Sequence, residues 1–288
     1  MRIFVTGAEG QLGSEICRIS KHDNFGTYLE NYEALNNTTY VQLDITNRML
    51  VFETIKKIKP EWIIHCAALT NVDLCEVQRD ATWSVNVEGT RNIADASKAA
   101  GAKVLYVSTD YVFDGKKGMY KEDDKPNPLN YYGKTKLEGE KIVQSLKDSI
   151  VVRSSVMFSR DKPNFLLWVL NKLKEDEIGI VTDQINSPTL NTELAECILK
   201  LIEMDVTGVY HTAGDERISR FDFARKIAEA FGFDKSMIKP IKTEQLNQIA
   251  RRPVDASLDI SKVKSLGINF SNIKAALEKL KEQMKVME

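Results

Sequence analysis

Cysteine and histidine are scarce in this chain, and they show none of the spacings that bind metals or form disulfide frameworks. The 288 residues include four cysteines and three histidines, without a Cys-x-x-Cys pair. The thiols are scattered along the sequence, at Cys17, Cys66, Cys75 and Cys197. We therefore expect the reduced thiols of a cytoplasmic protein, and we predict no metal site.

The chain also lacks a strong net charge and a long apolar run. Its 40 basic and 41 acidic residues give a formal net charge of -1, which offers no electrostatic footprint for a nucleic acid. No apolar stretch approaches the ~18 residues of a membrane span, and the N-terminal apolar run is too short for a signal peptide. We expect a globular protein with neither a nucleic-acid nor a membrane partner.

A glycine-rich turn near the N-terminus is the first positive signal. The apolar run Ile3–Val5 predicts a strand, and Gly7, Gly10 and Gly13 follow it before apolar residues at helical spacing. Glycines in such a turn permit a tight bend, close approach of the backbone to a pyrophosphate and close helix packing. The turn predicts a dinucleotide site, although an ordinary strand-to-helix turn can also contain glycines.

The rest of the first half alternates strands with helices. Strands are predicted at Asn24–Tyr28, Tyr40–Leu43, Trp62–Ile64, Val104–Val107 and Ile150–Val152, with helices at Arg48–Lys59, Asp80–Ala100 and Tyr131–Lys147. This alternation is typical of an α/β fold with a doubly wound parallel sheet and right-handed crossovers. We expect a Rossmann domain at residues 1–155 and a smaller, mainly substrate-binding domain at 156–288, with segments near 188–212 returning to the sheet.

The second half is less regular. Helices are predicted at Phe165–Lys174, Glu193–Met204, Ser219–Phe231 and Asn272–Lys285, with a strand at Val209–His211 and a loop at Asp183–Thr192. Arg251 and Arg252 precede a proline in a further predicted loop. Two adjacent guanidinium groups there could grip a phosphate, or they could form an ordinary solvated basic pair.

An acid–base pair is predicted in the helix that begins near Tyr131. Tyr132 and Lys136 are four residues apart, so they lie on the same helix face. A lysine ammonium beside the phenol would lower the tyrosine pKa and suit it to proton transfer with a carbonyl oxygen. Ser108 and Thr109 follow a predicted strand at the same sheet edge, where ligands of such sheets bind. An exposed Tyr-x-x-x-Lys pair can also arise by chance.

The choice of cofactor depends on the end of the second strand. An acidic residue there would bind the ribose of NAD, whereas an arginine would favour NADP. No acid stands directly at the tip and no arginine is near, with Glu30 the nearest acidic candidate. We favour NADP(H) and keep NAD(H) as the alternative.

Several segments together match a known pattern in the same chain order. They are Val5–Gly13, His65–Asp73, Asn86–Thr90, Ser108–Gly115, Tyr132–Glu140, Ser187–Thr189, Gly208–Gly214 and Arg252-Pro253. With these segments the chain resembles the dTDP-4-dehydrorhamnose reductase family, which belongs to the extended short-chain dehydrogenases/reductases. The resemblance covers most of the chain.

The resemblance implies that the protein uses NAD(P)H to reduce the C4 keto group of a nucleotide-linked 6-deoxy sugar. The favoured substrate is dTDP-4-dehydro-L-rhamnose. It implies that Tyr132 protonates the sugar oxygen, that Lys136 lowers the tyrosine pKa and holds the nicotinamide ribose, and that Thr109 hydrogen-bonds the reacting oxygen. Cofactor contacts are implied at Gly7, Gly10, Gln11, Leu12, Gly13, Asp44, Ile45, Ala67, Ala68, Leu69 and Thr70. Substrate contacts are implied at Thr109, Asp110, Val156 and Arg252.

One segment departs from the family pattern. The family has Arg-x-Ser-Trp after the sixth strand, with a tryptophan that contacts the sugar, but this chain reads Arg153-Ser154-Ser155-Val156. A valine offers neither a ring face nor an N–H donor. The exact sugar is therefore undetermined by the sequence.

Other functions on the same fold stay open. One is a reductase or epimerase of a related nucleotide sugar. Another is an NADP-binding regulatory subunit of methionine adenosyltransferase, a role that similar proteins have. Some family members form a magnesium-linked dimer through acidic side chains, and Glu15 lies near one such position. The other ligands have no match, so no metal is predicted and a homodimer is left open.

Overall fold

The computed structural model describes residues 1–285, and it contains thirteen strands within that range. Residues 286–288, the end of the predicted second part, lie outside the described residues. The strands are β1 (Arg2–Thr6), β2 (Asp23–Tyr28), β3 (Thr38–Gln42), β4 (Trp62–His65), β5 (Lys103–Thr109), β6 (Ile150–Ser154), β7 (Met157–Phe158), β8 (Ile178–Val181), β9 (Ile185–Asn186), β10 (Thr189–Leu190), β11 (Gly208–His211), β12 (Ile218–Ser219) and β13 (Ile238–Ile241).

Helices connect most of these strands. They are α1 (Gln11–Ile19), α2 (Arg48–Ile58), α3 (Val72–Val77), α4 (Arg79–Trp83), α5 (Thr90–Ala100), α6 (Tyr131–Gln144), α7 (Phe165–Lys172), α8 (Asn191–Glu203), α9 (Arg220–Phe231), α10 (Ser261–Ser265) and α11 (Ile273–Lys285). A π-helical turn, Ser84–Gly89, joins α4 to α5. Among residues 1–285, no helix has the length and apolarity needed to cross a bilayer.

Seven strands form one parallel sheet in the order β11-β6-β5-β4-β1-β2-β3. Six of them follow the doubly wound order 3-2-1-4-5-6, and β11 extends the sheet beside β6. The doubly wound α/β fold predicted from the alternating pattern is confirmed. Because the strands are parallel, all of their carboxyl ends lie at one edge.

The two faces of the sheet have separate apolar cores. Successive residues of a strand point to opposite faces. In β1, Ile3 and Val5 pack in the core that includes α1 and α8, whereas Phe4 packs with Ile55 and Ile93 of α2 and α5. Helices on both sides explain why the central strands read as continuous apolar runs.

A third apolar cluster forms in the second half of the chain. It is built around α7, α9 and α11, with Leu166, Phe223 and Leu277 buried at its centre. Strands β8 and β13 pair in parallel beside these helices. The predicted helix Ser219–Phe231 corresponds to α9, which Ser219 caps by accepting a hydrogen bond from the Asp222 backbone N–H at 3.0 Å.

Two predicted segments differ from the observed structure. The predicted helix Asp80–Ala100 consists of α4, the π-helical turn and α5, and Asn86 in the turn forms hydrogen bonds with the Leu69 backbone and the Thr135 hydroxyl. The predicted loop Asp183–Thr192 contains β9, β10 and the start of α8. Its two-residue strands pair with distant partners, β12 and β7, which no local periodicity reveals.

A buried ion pair joins the sheet to α6. Arg153 of β6 donates to both carboxylate oxygens of Glu140, at 2.9 and 2.8 Å. The two side chains are only 4% and 1% exposed. Ser108 also donates to this carboxylate, at 2.5 Å. A buried charge of this kind is tolerated only while its partner is present.

We predict that Arg153→Met lowers the free energy of unfolding by about 3–5 kcal/mol, because it leaves the Glu140 carboxylate buried and unpaired. Urea unfolding followed by circular dichroism measures the change. The control is Arg91→Met, which removes an exposed pair with Glu88 and should cost about 0–1 kcal/mol. Equal losses in the two variants would contradict the structural role of the buried pair.

Candidate active site

A cavity of about 490 Å³ opens at the carboxyl edge of the sheet. Its walls come from the ends of β1, β4, β5 and β6, from α6, and from the first residues of α7 and α9. Twelve residues predicted from the sequence line it: Gly7, Gly10, Gln11, Leu12, Gly13, Ala68, Thr70, Thr109, Asp110, Tyr132, Lys136 and Val156. The fold thus brings most of the predicted site together.

Five predicted residues do not line this cavity: Asp44, Ile45, Ala67, Leu69 and Arg252. Asp44 is exposed and accepts hydrogen bonds from Thr46. The Leu69 backbone is bound by the side chain of Asn86, which accepts from its N–H at 2.8 Å and donates to its carbonyl at 3.0 Å.

Arg252 is held by an ion pair away from the cavity. Its guanidinium donates to both oxygens of Asp73, each at 3.0 Å, and to the carbonyl of Ala250 at 2.7 Å. Burial raises the pKa of Asp73, but its hydrogen bond with Arg252 contributes to a pKa that is lowered overall. The guanidinium of Arg252 is therefore neither free to bind a phosphate nor part of a solvated basic pair.

The glycine turn leaves no room for side chains. Gly7 has φ +68°, and a Cβ on Gly13 would lie 2.2 Å from the Gly7 carbonyl oxygen. The second half of the chain secures this turn, because Asn191 donates to the Gln11 carbonyl at 2.8 Å and Gln11 donates to Ser159 at 3.1 Å. The exposed backbone at the start of α1 is thereby fixed in place.

The start of α6 is pressed against the end of β5. Asn130 caps the helix by accepting a hydrogen bond from the Gly133 N–H at 2.8 Å. A Cβ on Gly133 would lie only 2.2 Å from the Tyr111 carbonyl oxygen. This close approach brings Tyr132 to the Thr109 hydroxyl at the cavity wall.

The predicted lowering of the Tyr132 pKa is wrong for this structure. Burial raises the pKa of the phenol, and a hydrogen bond with Thr109 offsets only part of the shift. Tyr132 is therefore protonated at neutral pH. A protonated phenol is the state required of a proton donor, as opposed to a base.

Burial also shifts the pKa of Lys136, the residue that was predicted to activate the phenol. Burial lowers the lysine pKa to about 7, with Cys66 and Glu140 acting in the opposite direction. Its Nζ lies 4.1 Å from the centroid of the Tyr106 ring. The ring face attracts the ammonium, but with a pKa of about 7 much of the lysine is neutral near pH 7.

Asp110 is a buried carboxylate between the two halves of the site. It accepts hydrogen bonds from Thr109 at 3.0 Å, from Ser155 at 2.7 Å and from Asn186 at 3.2 Å. Burial raises its pKa to about 6, although these bonds and the charge of Arg220 lower it. The carboxylate links β5, β6 and β9 beside Thr109.

Ser108, which the sequence placed at this edge beside Thr109, also lines the cavity. The other lining residues were not singled out from the sequence: Glu9, Cys66, Val72, Val107, Tyr111, Ser154, Ser155, Met157, Phe165 and Arg220. Those next to the glycine turn and to the ends of β4, β5 and β6 could have been found by adjacency to predicted residues. Phe165 and Arg220 come from α7 and α9 and had no such signal. The described residues contain no group of three or more His, Cys, Asp or Glu side chains arranged to hold a metal ion.

Comparison with known proteins identifies the family of this chain. The family model for the RmlD substrate binding domain matches residues 1–286. The chain belongs to this family. The resemblance inferred from the sequence segments is confirmed, and the match extends over both halves of the chain.

Relatives of this RmlD family chain include proteins with different roles. The dTDP-4-dehydrorhamnose reductase of Aggregatibacter actinomycetemcomitans is 35% identical over 295 residues, covering 97% of this chain and 98% of the relative. Methionine adenosyltransferase 2 subunit beta of Bos taurus is 30% identical over 289 residues, covering 93% and 83%. The crystal structure of dTDP-4-dehydrorhamnose reductase from Bacillus anthracis, in complex with NADP, is 34% identical with a TM-score of 0.88, covering 98% and 99%.

We predict that Lys136 makes the stability depend on pH. Between its folded-state pKa of about 7 and its ordinary value of 10.5, the unfolded chain binds one more proton than the folded chain. The free energy of unfolding should therefore rise with pH in this window, by up to ~1.4 kcal/mol per unit, relative to Lys136→Met.

Urea unfolding of both proteins at a series of pH values measures this difference. Lys134→Met, on the exposed side of the same helix, controls for the loss of one lysine. If the wild-type and Lys136→Met curves run parallel from pH 7 to 9.5, burial does not lower the lysine pKa.

Proposed function

We propose that the protein reduces the C4 keto group of a nucleotide-linked 6-deoxy sugar with a nicotinamide cofactor, and that dTDP-4-dehydro-L-rhamnose is the first candidate substrate. The observation that carries this proposal is the convergence of the glycine turn, Thr109 and Tyr132 on one cavity. A reduction of this kind needs a nucleotide site, a proton donor and a group that positions the oxygen. The A. actinomycetemcomitans relative supports the choice of substrate.

The residues at the first turn fit a dinucleotide. At Gly13 a side chain would collide with the Gly7 carbonyl, and the N-terminus of α1 faces the same space, as pyrophosphate binding requires. The cofactor, when bound, supplies the hydride. We favour NADP(H), supported by the NADP complex of the B. anthracis relative, and we keep NAD(H) as the alternative.

The protein side of the reaction is a proton transfer. The Thr109 hydroxyl would orient the sugar C4 oxygen, and the Tyr132 phenol would donate its proton to that oxygen as the carbonyl is reduced. The raised pKa of Tyr132 keeps this proton available at neutral pH. Lys136, buried beneath Tyr132 on the same helix, would hold the nicotinamide ribose.

Two alternatives have a specific basis. Val156 lines the cavity where the family has a tryptophan, so a related sugar could be the substrate, for reduction or epimerisation. The Bos taurus relative is a subunit of methionine adenosyltransferase, so a non-catalytic regulatory role is the second candidate. The retention of Thr109, Tyr132 and Lys136 favours an enzyme.

We predict that Tyr132→Phe lowers the rate of NADPH oxidation with dTDP-4-dehydro-L-rhamnose by at least ~100-fold, because the variant has no proton to donate. Absorbance at the nicotinamide band measures the rate. Tyr131→Phe is the matched control. Tyr131 lies outside the cavity lining and packs under the Arg79 guanidinium, so its loss of one hydroxyl should leave the rate unchanged.

Each contrary result has a distinct meaning. Equal rates for wild type and Tyr132→Phe would remove Tyr132 from the mechanism. If the wild-type protein turned over no ketosugar nucleotide and co-purified with a methionine adenosyltransferase, the regulatory role would replace the enzymatic one.

A further inference from the structure

Arg220 is fixed at the cavity wall by the second half of the chain. It is the first residue of α9, and its backbone N–H donates to the Gln184 carbonyl at 2.9 Å. Its guanidinium carbon lies 5.2 Å from the centroid of the Phe165 ring, and both residues line the cavity. An aromatic face of this kind holds a guanidinium in one orientation. The side chain is therefore positioned before any ligand arrives.

Arg220 forms no direct ion pair within residues 1–285, unlike the other arginines of low exposure. Its Nε is buried without a hydrogen-bond partner among the residues that the structure describes. Two other arginines with little exposure show the opposite arrangement, because Arg153 is gripped by Glu140 and Arg252 by Asp73. A buried donor without a partner is destabilising, so an unpaired arginine at a cavity wall indicates a ligand that supplies the acceptor.

The surroundings of Arg220 place it on the sugar side of the site. Its charge is felt by Asp110, which follows Thr109 directly in the chain. Asp110 itself is occupied by hydrogen bonds from Thr109, Ser155 and Asn186, so it does not serve as the partner of the guanidinium. The cation therefore remains available in the same cavity as the residues that would handle the sugar oxygen.

We propose that Arg220 binds the diphosphate of the nucleotide-sugar substrate. In a nucleotide sugar the diphosphate is attached at C1, across the ring from C4, so it lies one ring width from the carbon that is reduced. A guanidinium presents two parallel N–H donors that match phosphate oxygens. This inference rests on the proposed function and adds the residue that selects a diphosphate-linked sugar over a free sugar.

Titration calorimetry with dTDP and with thymidine, at saturating NADPH, tests the proposal without requiring turnover. We expect Arg220→Gln to weaken dTDP binding by about 10- to 100-fold, the range for hydrogen bonds to a charged group, and to leave thymidine and NADPH binding unchanged. Arg220→Lys should show a smaller loss. In steady-state kinetics the glutamine variant should raise KM for the sugar nucleotide more than it lowers kcat.

Arg225→Gln is the matched control, since Arg225 is an exposed arginine of the same helix that lies against Phe221, outside the cavity. It should bind dTDP like the wild type, and thermal melting checks that each variant is folded.

Unchanged dTDP affinity in Arg220→Gln would overturn the inference while leaving the reductase proposal intact. A loss confined to NADPH, or to turnover alone, would also overturn it, by assigning Arg220 to the cofactor or to the sugar. Absence of both dTDP binding and turnover in the wild type would reject the proposed function itself.

Discussion

The common direction of the seven strands is the constraint on which the site depends. Each strand leaves the sheet at the same edge, so the glycine turn after β1 and the segments after β4, β5 and β6 enter one space. Helices cover both faces and seal the sheet from water. The cavity opens at the carboxyl edge, and the second half of the chain forms its remaining wall with α7 and α9.

Burial determines the protonation states at this edge. It raises the pKa of Tyr132, which stays neutral, and lowers that of Lys136 to about 7, so the lysine is about half neutral near pH 7. Two buried charges near the site, those of Arg153 and Glu140, compensate each other. Burial keeps the Tyr132 phenol protonated. A substrate or cofactor that adds its own charge would change this balance, since each added charge shifts the pKa of its neighbours.

The sequence was informative where function and local structure share the same residues. Gly7 and Gly13 are required by the turn itself, and Tyr132 with Lys136 follows from helix geometry alone, so these residues could be found by spacing. The environment of a residue was not predictable in this way. The Tyr132 pKa was predicted in the wrong direction because spacing shows which groups are close, but it does not show how far both are removed from water. Likewise, Arg252 looked like a phosphate grip until the fold placed Asp73 beside it.

The missed residues share a physical cause. Arg220 and Phe165 are far apart in the sequence and belong to helices whose apolar stripes read simply as core. Only the packing of the third apolar cluster against the sheet edge brings them to the cavity.

The two halves of the chain contribute different groups to the cavity. Strand ends and α6 supply the glycine turn and Tyr132, whose positions are set by backbone geometry. Side chains on the wall from the second half can change without altering the sheet. Here Val156 is smaller than the tryptophan of the family pattern, Phe165 adds an aromatic ring and Arg220 adds a positive charge.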